Sequence, residues 1–252
     1  MAIALTTLVE EAERFLGASR ISDYCPNGLQ VEGRPQVRRI VSGVTASQAL
    51  LDAAVEAEAD VVLVHHGYFW KGENPCVVGI KQRRLKTLLT NDISLLAYHL
   101  PLDVHPEVGN NVQLARQLDI TVEGPLEPDN PRTVGLIGSL AEPLTPRDFA
   151  RRVQDVLGRE PLLVEGSGMI RRIGWCTGGG QGYIDTAIAA GVDLYLTGEA
   201  SEQTFHSARE NGISFIAAGH HATERYGVQA LGDYLARRFA IEHLFIDCPN
   251  PI

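Results

Sequence analysis

The segment RRIVSGVTASQALLDAAVEAEADVVLVHHG, residues 38–67, indicates the fold class because it contains a complete strand–helix–strand pattern. A short apolar strand leads into a Gly/Ser/Thr loop and a helix, and the run 61–64 then begins a second strand. Four consecutive apolar residues indicate a strand that is buried on both faces, as in a parallel or mixed sheet covered by helices. We therefore predict an α/β fold.

The same pattern recurs without a gap in RRIGWCTGGGQGYIDTAIAAGVDLYLTGEA, residues 171–200. The identical pairs are Arg38/Arg171, Arg39/Arg172, Ile40/Ile173, Gln48/Gln181, Asp52/Asp185, Ala54/Ala187, Ala57/Ala190 and Asp60/Asp193. Unrelated β-α-β units share some residues by chance, but here the similarity continues along the chain. NDISLLAYH, which ends at His99, resembles NGISFIAAGH, which ends at His220. The pattern therefore favours an internal duplication.

A duplication predicts two related α/β halves. We place the first half at residues 1–127 and the second at residues 128–252. Residues 127–148, EPDNPRTVGLIGSLAEPLTPRD, contain several Pro, Asp and Asn residues, which are typical of a turn-rich connection. We expect this segment to connect the halves and to begin the second one.

The composition restricts the classes of function. The chain has 252 residues, of which 44% are hydrophobic, so it can bury substantial cores. Its formal net charge of −9 argues against a broad surface for nucleic acid or anionic membrane, because both require a dominant basic surface. The sequence has no apolar run long enough for a membrane span.

The cysteine pattern and the N-terminal segment both favour a cytoplasmic location. The four cysteines form no CxxC pair, which argues against a disulfide framework or a thiolate zinc site; they are Cys25, Cys76, Cys176 and Cys248. The N-terminal segment carries Glu10, Glu11 and Glu13 where a signal peptide would be apolar. We expect an amphipathic first helix with Thr6 or Thr7 as its N-cap.

Two histidines, His65 and His66, end the buried strand, and Gly67 allows the chain to turn after them. Ligand sites in α/β sheets gather at the carboxyl ends of the strands. Adjacent side chains on a strand face opposite sides, so two neighbouring histidines at a strand end suit two nearby ions, one each. Further candidate ligands lie after equivalent strands of the two halves: Asp103, His220 and Glu224.

Imidazole and carboxylate groups are typical ligands of zinc, iron and manganese. A carboxylate can also bridge two ions about 3.5 to 4 Å apart, and we expect Glu224 to do so. Each residue alone is a weak signal, because a single histidine is usually structural and an exposed carboxylate is usually only solvated. Two HH pairs at strand ends, each followed by a carboxylate, together favour a metal centre.

The stretch TGGGQG, residues 177–182, follows a strand and precedes a helix. Its backbone N–H groups would suit an anion at the helix N-terminus, but the pattern is neither GxGxxG nor a Walker loop. The interpretation that we favour is a tight turn that requires positive φ.

Longer motifs point to a family. VHHGYFWKG, HLPLDVHPEVGNN, TGEASEQTFHSARE, AAGHHATER and ISDYCPNGLQVEG resemble the dinuclear-metal-centre proteins of the YbgI type, a Nif-three-like family also called GTP cyclohydrolase 1 type 2 homologues. The resemblance covers nearly the whole chain. It implies two related, intertwined α/β domains with mixed sheets flanked by helices, assembled as a toroidal homohexamer.

The resemblance also implies two divalent metal ions per subunit: iron, zinc or manganese. Its five ligands fall on His65, His66, Asp103, His220 and Glu224. In the family pattern His66 and Asp103 hold one ion and His65 and His220 the other, while Glu224 is shared. His99 also matches a family histidine close to the site, as an occasional sixth ligand or a neighbour of the ligands.

The family name suggests a metal-dependent hydrolase with cyclohydrolase-like action on a small molecule or nucleotide. A water activated by the ions would attack the substrate, and the candidate residues for proton transfer are Glu202, His206 and His105. The alternative is a non-catalytic binding or regulatory protein in which the metals are structural. Five side chains leave open positions on two ions, which favours catalysis.

Overall fold

The computed structural model describes residues 2–252. In chain order its strands are β1 (Ile3–Ala4), β2 (Gly28–Val31), β3 (Gln36–Val37), β4 (Arg39–Thr45), β5 (Val61–His66), β6 (Ser94–Ala97), β7 (Thr121–Pro125), β8 (Leu136–Leu144), β9 (Leu162–Val164), β10 (Ile170–Cys176), β11 (Leu194–Thr197), β12 (Ser214–Ala217) and β13 (Glu242–Phe245).

The α-helices, in chain order, are α1 (Leu5–Leu16), α2 (Gln48–Glu56), α3 (Gly79–Thr90), α4 (Leu100–Val104), α5 (Asn110–Gln117), α6 (Pro146–Leu157), α7 (Ile184–Ala189), α8 (Glu202–Asn211), α9 (His220–Thr223) and α10 (Arg225–Phe239). Among residues 2–252, none of these helices has both the length and the apolar character needed to cross a membrane.

The chain divides into two compact units, and the first of them is discontinuous. The first unit contains the chain up to Gly109 together with Gly227–Cys248, and the second contains Asn110–Tyr226 and Pro249–Ile252. Most of α10 and all of β13 therefore return to the first unit, which matches the expectation of an intertwined chain path.

These divisions differ from the sequence-based boundary between residues 127 and 128. Helix α5 and strand β7 precede that boundary but belong to the second unit. Strand β7 pairs with β8, and Leu114 of α5 is buried in the same apolar cluster as Phe149 and Trp175. Pairing and burial, rather than the Pro-rich connection, therefore define where the second unit begins.

Both units are built on mixed sheets, as the α/β prediction requires. The first sheet has the strand order β13-β4-β5-β6-β2, in which β2 alone is antiparallel. The second has the order β7-β8-β10-β11-β12-β9, in which β10, β11 and β12 are parallel. Three parallel strands followed by an antiparallel strand, β4-β5-β6-β2 and β10-β11-β12-β9, therefore occur in both units.

Residues shared by the two sequence repeats make the same contacts. The Oδ2 atom of Asp60 accepts hydrogen bonds from the backbone N–H groups of residues 38 and 39, at 2.7 and 3.1 Å. In the second unit Oδ2 of Asp193 accepts from the N–H groups of residues 171 and 172, at 2.9 and 2.7 Å. Each aspartate thus joins the start of its strand to the start of the neighbouring strand, β4 or β10.

Strand β5 is buried on both faces, as its sequence predicts. Val61 and Leu63 belong to one apolar cluster, which includes α1 and α10, whereas Val62 and Val64 belong to another, which includes α2 and α3. Because helices cover both sides, the chemically active side chains of this strand lie at its carboxyl end.

The predicted N-cap of the first helix is wrong. Helix α1 begins at Leu5, and the preceding Ala4 makes no side-chain capping bond. Ala4 is paired with Gln36 in the β1–β3 ladder, and the Leu5 N–H donates to the Pro35 carbonyl at 2.9 Å. The helix therefore starts where a short strand ends, so an N-cap hydroxyl is not used.

Candidate metal centre

The histidines that end β5 are held in defined tautomers or orientations. His65 is fully buried, and its Nδ1 lies 2.9 Å from the carbonyl oxygen of Tyr98. A carbonyl only accepts hydrogen bonds, so Nδ1 carries a proton, and in the neutral imidazole Nε2 then holds the lone pair that a metal would use. The Nδ1 atom of His66 lies 3.1 Å from the hydroxyl of Thr45 on the neighbouring strand β4.

The strand end brings three imidazoles together. Ligand atoms of His65, His66 and His99 lie within 4.8 Å of one another. The rings of His65 and His66 are 4.5 Å apart between centroids and inclined at 46°. His66 is the last residue of β5, where the regular alternation of side chains no longer separates it from its neighbour. This arrangement in the first unit suits a cation bound by neutral imidazoles.

Asp103 lies on the short helix α4 that follows β6, and it approaches the same cluster. Its Oδ1 is 3.5 Å from Nε2 of His65, and its side chain is buried. The resemblance paired Asp103 with His66 on one ion, whereas here its carboxylate lies beside His65. Asp103 follows His99 by four residues, and the turn of α4 between them brings its carboxylate next to the end of β5.

His99 is oriented by the carboxylate of Asp23, which is not among the site residues predicted from the sequence. Nδ1 of His99 lies 3.0 Å from Oδ1 of Asp23, and Oδ2 of Asp23 accepts from Asn27 and from the Leu100 N–H, both at 2.9 Å. Burial alone would raise the pKa of Asp23, but these hydrogen bonds outweigh it and hold the pKa well below its usual range. Asp23, Cys25 and His99 also form a group with ligand atoms within 4.8 Å.

In the second unit, His220 and Glu224 form a corresponding pair. His220 begins α9, and its Nε2 lies 3.2 Å from Oε2 of Glu224. Its Nδ1 lies 2.7 Å from Oε1 of Glu199, a residue that the sequence analysis also did not identify. Burial lowers the pKa of His220, but the two carboxylates outweigh this effect and raise the pKa to about 9. A cation on Nε2 would take the place of that proton.

The glycine stretch beside this pair, residues 177–182, is a tight turn, as the sequence predicts. Gly178 has φ of 66°, and its N–H donates to the hydroxyl of Thr223 at 3.0 Å. The N–H of Gly180 donates to the hydroxyl of Thr197, also at 3.0 Å. These N–H groups are therefore engaged by threonines rather than directed at an anion, and the following α7 has only six residues.

The three candidate residues for proton transfer are not members of these groups of potential ligands within residues 2–252. Both ring nitrogens of His105 contact backbone: Nε2 lies 3.0 Å from the Phe15 carbonyl, and Nδ1 accepts from two N–H groups at 3.2 Å. These contacts favour a structural role for His105. Glu202 and His206 are exposed on α8. Within residues 2–252, neither is a member of a His/Cys/Asp/Glu group close enough to hold a metal.

The carboxylates Asp23 and Glu199 could have been suspected from the motifs ISDYCPNG and TGEASEQ, since both stand at loops near strand ends. Nothing local in the sequence, however, pairs Asp23 with a histidine 76 positions away, or Glu199 with one 21 positions away. Ligand histidines commonly donate their second N–H to a carboxylate or a carbonyl. Acidic residues in loops near strand ends are therefore the sequence feature that indicates such partners.

Comparison with known proteins gives consistent matches along the whole chain. The model of the family described as Duf34/NIF3 (NGG1p interacting factor 3) matches residues 3–251. A Pseudomonas aeruginosa protein named GTP cyclohydrolase 1 type 2 homolog is 85% identical over 251 residues, covering 100% of both chains. An Escherichia coli protein of the same name is 54% identical over 248 residues, covering 98% of both.

Solved structures agree with this result. The protein described as ybgI, of unknown function, is 53% identical with a TM-score of 0.95, covering 99% of this chain and 100% of that one. TTHA1606 from Thermus thermophilus is 36% identical with a TM-score of 0.90, at the same coverage. The predicted fold class is thereby confirmed.

Proposed function

This chain belongs to the Duf34/NIF3 family, and we propose that it binds two divalent metal ions and hydrolyses a small molecule or nucleotide. One observation carries the proposal: His65, His66 and His99 converge at the carboxyl ends of the neighbouring strands β5 and β6. The Nδ1 atom of each faces a fixed partner: a carbonyl, a hydroxyl and a carboxylate, respectively. Such partners typically orient histidines that bind metal through Nε2.

The proposed ligands are the five residues that match the family motifs, with His99 as a sixth that is used occasionally; the five are His65, His66, Asp103, His220 and Glu224. Nitrogen and carboxylate oxygen suit zinc, iron and manganese, and the cysteines are not needed. The contacts within each unit support this assignment, because Asp103 lies beside His65, and Glu224 lies beside His220.

The protein side chains would prepare such a site in two ways. The bond from Nδ1 of His65 to Tyr98 selects the tautomer of the neutral ring in which Nε2 holds the lone pair for a cation. The carboxylates of Asp23 and Glu199 orient His99 and His220 and make their imidazoles better electron donors. When bound, a pair of divalent ions supplies Lewis-acid chemistry that activates water and polarises the bond to be cleaved.

Metal content tests the binding part of this proposal. Elemental analysis of untagged protein purified without chelators should give about two equivalents of metal per chain. His66→Ala and Glu224→Ala should each lower this value sharply. The matched control is His206→Ala, because His206 is exposed on α8 and outside the clusters. Negligible metal that reconstitution does not restore would contradict the proposal.

Turnover tests the hydrolytic part. Metal-loaded protein should convert GTP or a related heterocyclic nucleotide in an assay in which a GTP cyclohydrolase control is active. Bound metal without turnover over a panel of nucleotides and small substrates would support the alternative, a non-catalytic binding or regulatory protein.

We also propose, from the family resemblance alone, that the chain forms a toroidal homohexamer in the cytoplasm. Light scattering of the purified protein tests the assembly. A stable monomer at working concentrations would contradict it.

A further inference from the structure

We propose that Tyr24 and Trp70 form a stacking platform beside the metal-binding histidines, and that it receives a planar aromatic heterocycle of the substrate. The inference rests on the proposed function, since it names the class of substrate for that same site. Neither ring is needed to hold a metal, and both lie in the first unit.

The two rings adjoin the histidines of the cluster. Trp70 lies 5.0 Å from His99 and 6.0 Å from His66 between ring centroids. Tyr24 lies 5.0 Å from His99 in an edge-on arrangement. Tyr24 and Trp70 are 5.7 Å apart, with their planes inclined at 36°. A ring stacked on this pair would therefore lie next to the metal-binding imidazoles.

The platform is open to solvent although it is built from large aromatic residues. Tyr24 is 53% exposed, and Trp70 is half-buried. Phe69, which precedes Trp70, is 39% exposed as well. Aromatic side chains usually bury most of their surface in cores, so exposed rings adjoining a cluster of potential ligands suggest a surface that a partner molecule covers.

Hydrogen bonds hold the platform in place before any ligand arrives. The indole N–H of Trp70 donates to the Gly67 carbonyl at 3.2 Å, and the backbone N–H of Trp70 donates to Glu73 at 3.0 Å. The N–H of Lys71 donates to the Tyr24 carbonyl at 2.8 Å, which ties the two segments together. Little ordering would remain to be done on binding, which favours affinity.

The backbone beside Trp70 is strained. Phe69 has φ of 66°, in the left-handed region that a bulky side chain rarely adopts. Such conformations persist only where the surroundings hold them, and they cluster at functional sites. Here the Lys81 ammonium, 5.1 Å above the Phe69 ring, and its ion pair with Glu73 at 3.1 Å hold the loop.

These features define the chemical class of the ligand. Stacking on aromatic side chains selects for a flat ring with an extended π-face, such as a purine or a pteridine, and it tolerates different substituents. The hydrolysable bond of that molecule would then lie toward His66 and His99, on the side of the histidine cluster.

The chain contains two tryptophans, which provides a direct optical test. Trp175 is fully buried in the core of the second unit, so only Trp70 is placed to respond to a stacked ring. GMP and AMP are titrated against tryptophan emission, and ribose 5-phosphate, which lacks the base, is the matched ligand control. We expect saturable quenching by GMP or AMP and no quenching by ribose 5-phosphate.

Variants separate stacking from a structural effect. Tyr24→Ala should raise the Kd of the quenching nucleotide by about tenfold. Phe205→Ala should leave it unchanged, because Phe205 is an exposed aromatic beside a histidine outside the cluster. By calorimetry, Trp70→Leu should weaken binding similarly, while Trp70→Phe should restore most of it. Metal content should stay at the wild-type value in all four variants.

The platform would be overturned by the absence of saturable quenching by either nucleotide, by equal responses to nucleotide and ribose 5-phosphate, or by an unchanged Kd in Tyr24→Ala. Loss of metal in Tyr24→Ala would also overturn it, since Tyr24 would then act by positioning His99. If wild-type protein holds no metal but the quenching and variant results are as expected, the platform is supported and the proposed metal function fails.

Discussion

Gly178 lies directly against Glu224 in the second unit. The space that a Cβ atom on Gly178 would occupy is filled by the Glu224 carboxylate, and Nε2 of His220 is 3.0 Å from that position. The positive φ of 66° adds a second reason for glycine. This turn is therefore shaped around two proposed metal ligands.

Gly178→Ala should consequently displace Glu224 and lower metal affinity by about tenfold or more. Competition with a chromogenic chelator measures the metal affinity of the variant and of wild type. Gly179→Ala is the matched control, because its Cβ would meet nothing closer than 3.7 Å. Equal losses in the two variants would show that the turn, rather than the approach to Glu224, is responsible.

Asp23→Asn should weaken metal binding without abolishing it. The substitution removes the charge that faces Nδ1 of His99 at 3.0 Å, so the imidazole becomes a poorer ligand. Loss of such an orienting group typically lowers metal affinity about 10- to 100-fold. Chelator competition compares Asp23→Asn with Asp129→Asn, an exposed loop residue. An unchanged affinity in Asp23→Asn would contradict this role of Asp23.

The equivalent aspartates of the two repeats should differ in their contribution to stability. Asp60 is 2% exposed and also pairs with the Arg34 guanidinium at 2.9 Å, whereas Asp193 is exposed. Asp60→Ala leaves a guanidinium and two backbone N–H groups without their acceptor, so we expect a loss of about 3 kcal/mol in the free energy of unfolding. Asp193→Ala should cost about 1 kcal/mol. Urea unfolding measures both, and equal losses would contradict this argument.

Glu11 should stabilise the first unit in a pH-dependent manner. Hydrogen bonds from Arg14 and from the Tyr234 hydroxyl lower the pKa of Glu11 to about 2. A carboxyl whose pKa is lowered on folding stabilises the protein fully above its ordinary pKa, and the contribution disappears as the pH falls through the folded value. The partner Arg14 is exposed to solvent, which screens the ion pair, so we expect only about 0.5 kcal/mol.

The measurement is urea unfolding of wild type and Glu11→Gln at pH 7 and pH 3. The difference in the free energy of unfolding between wild type and Glu11→Gln should be present at pH 7 and smaller at pH 3. Glu10→Gln, an exposed neighbour on α1, should unfold like wild type at both. If the difference in the free energy of unfolding became larger at pH 3, its pH dependence would be opposite to the one expected from a lowered pKa of Glu11, and the prediction would be wrong.

Ser42, His243 and Asp233 have the hydrogen-bond pattern of a serine hydrolase triad, but we expect a structural role. Oγ of Ser42 lies 2.7 Å from Nε2 of His243, whose Nδ1 lies 2.8 Å from Asp233. Ser42 is fully buried in the first unit, so substrate does not reach it there. Ser42→Ala should lower the free energy of unfolding by about 1–3 kcal/mol and leave any hydrolytic activity intact. Activity lost from a stably folded Ser42→Ala variant would contradict this.

Much of the fold could be predicted because its signals are local. The apolar run of β5 and the ungapped repeat identify two β-α-β units, and the structure confirms them down to the matching bonds of Asp60 and Asp193. The location of β13 could not be predicted in this way. It pairs in parallel with β4, about 200 residues earlier in the chain, and the preceding helix α10 is buried in the same apolar cluster as α1.

The candidate site could likewise be predicted only in part. The amino-acid sequence was sufficient to predict that His65 and His66 end a buried strand and that carboxylates follow equivalent strands, since these features depend on chain order. The contacts of Asp23 with His99, of Glu199 with His220 and of His105 with the Phe15 carbonyl are visible only in the folded chain. The reason is physical: partners of a side chain are set by three-dimensional packing, and that packing brings together residues that are far apart in sequence.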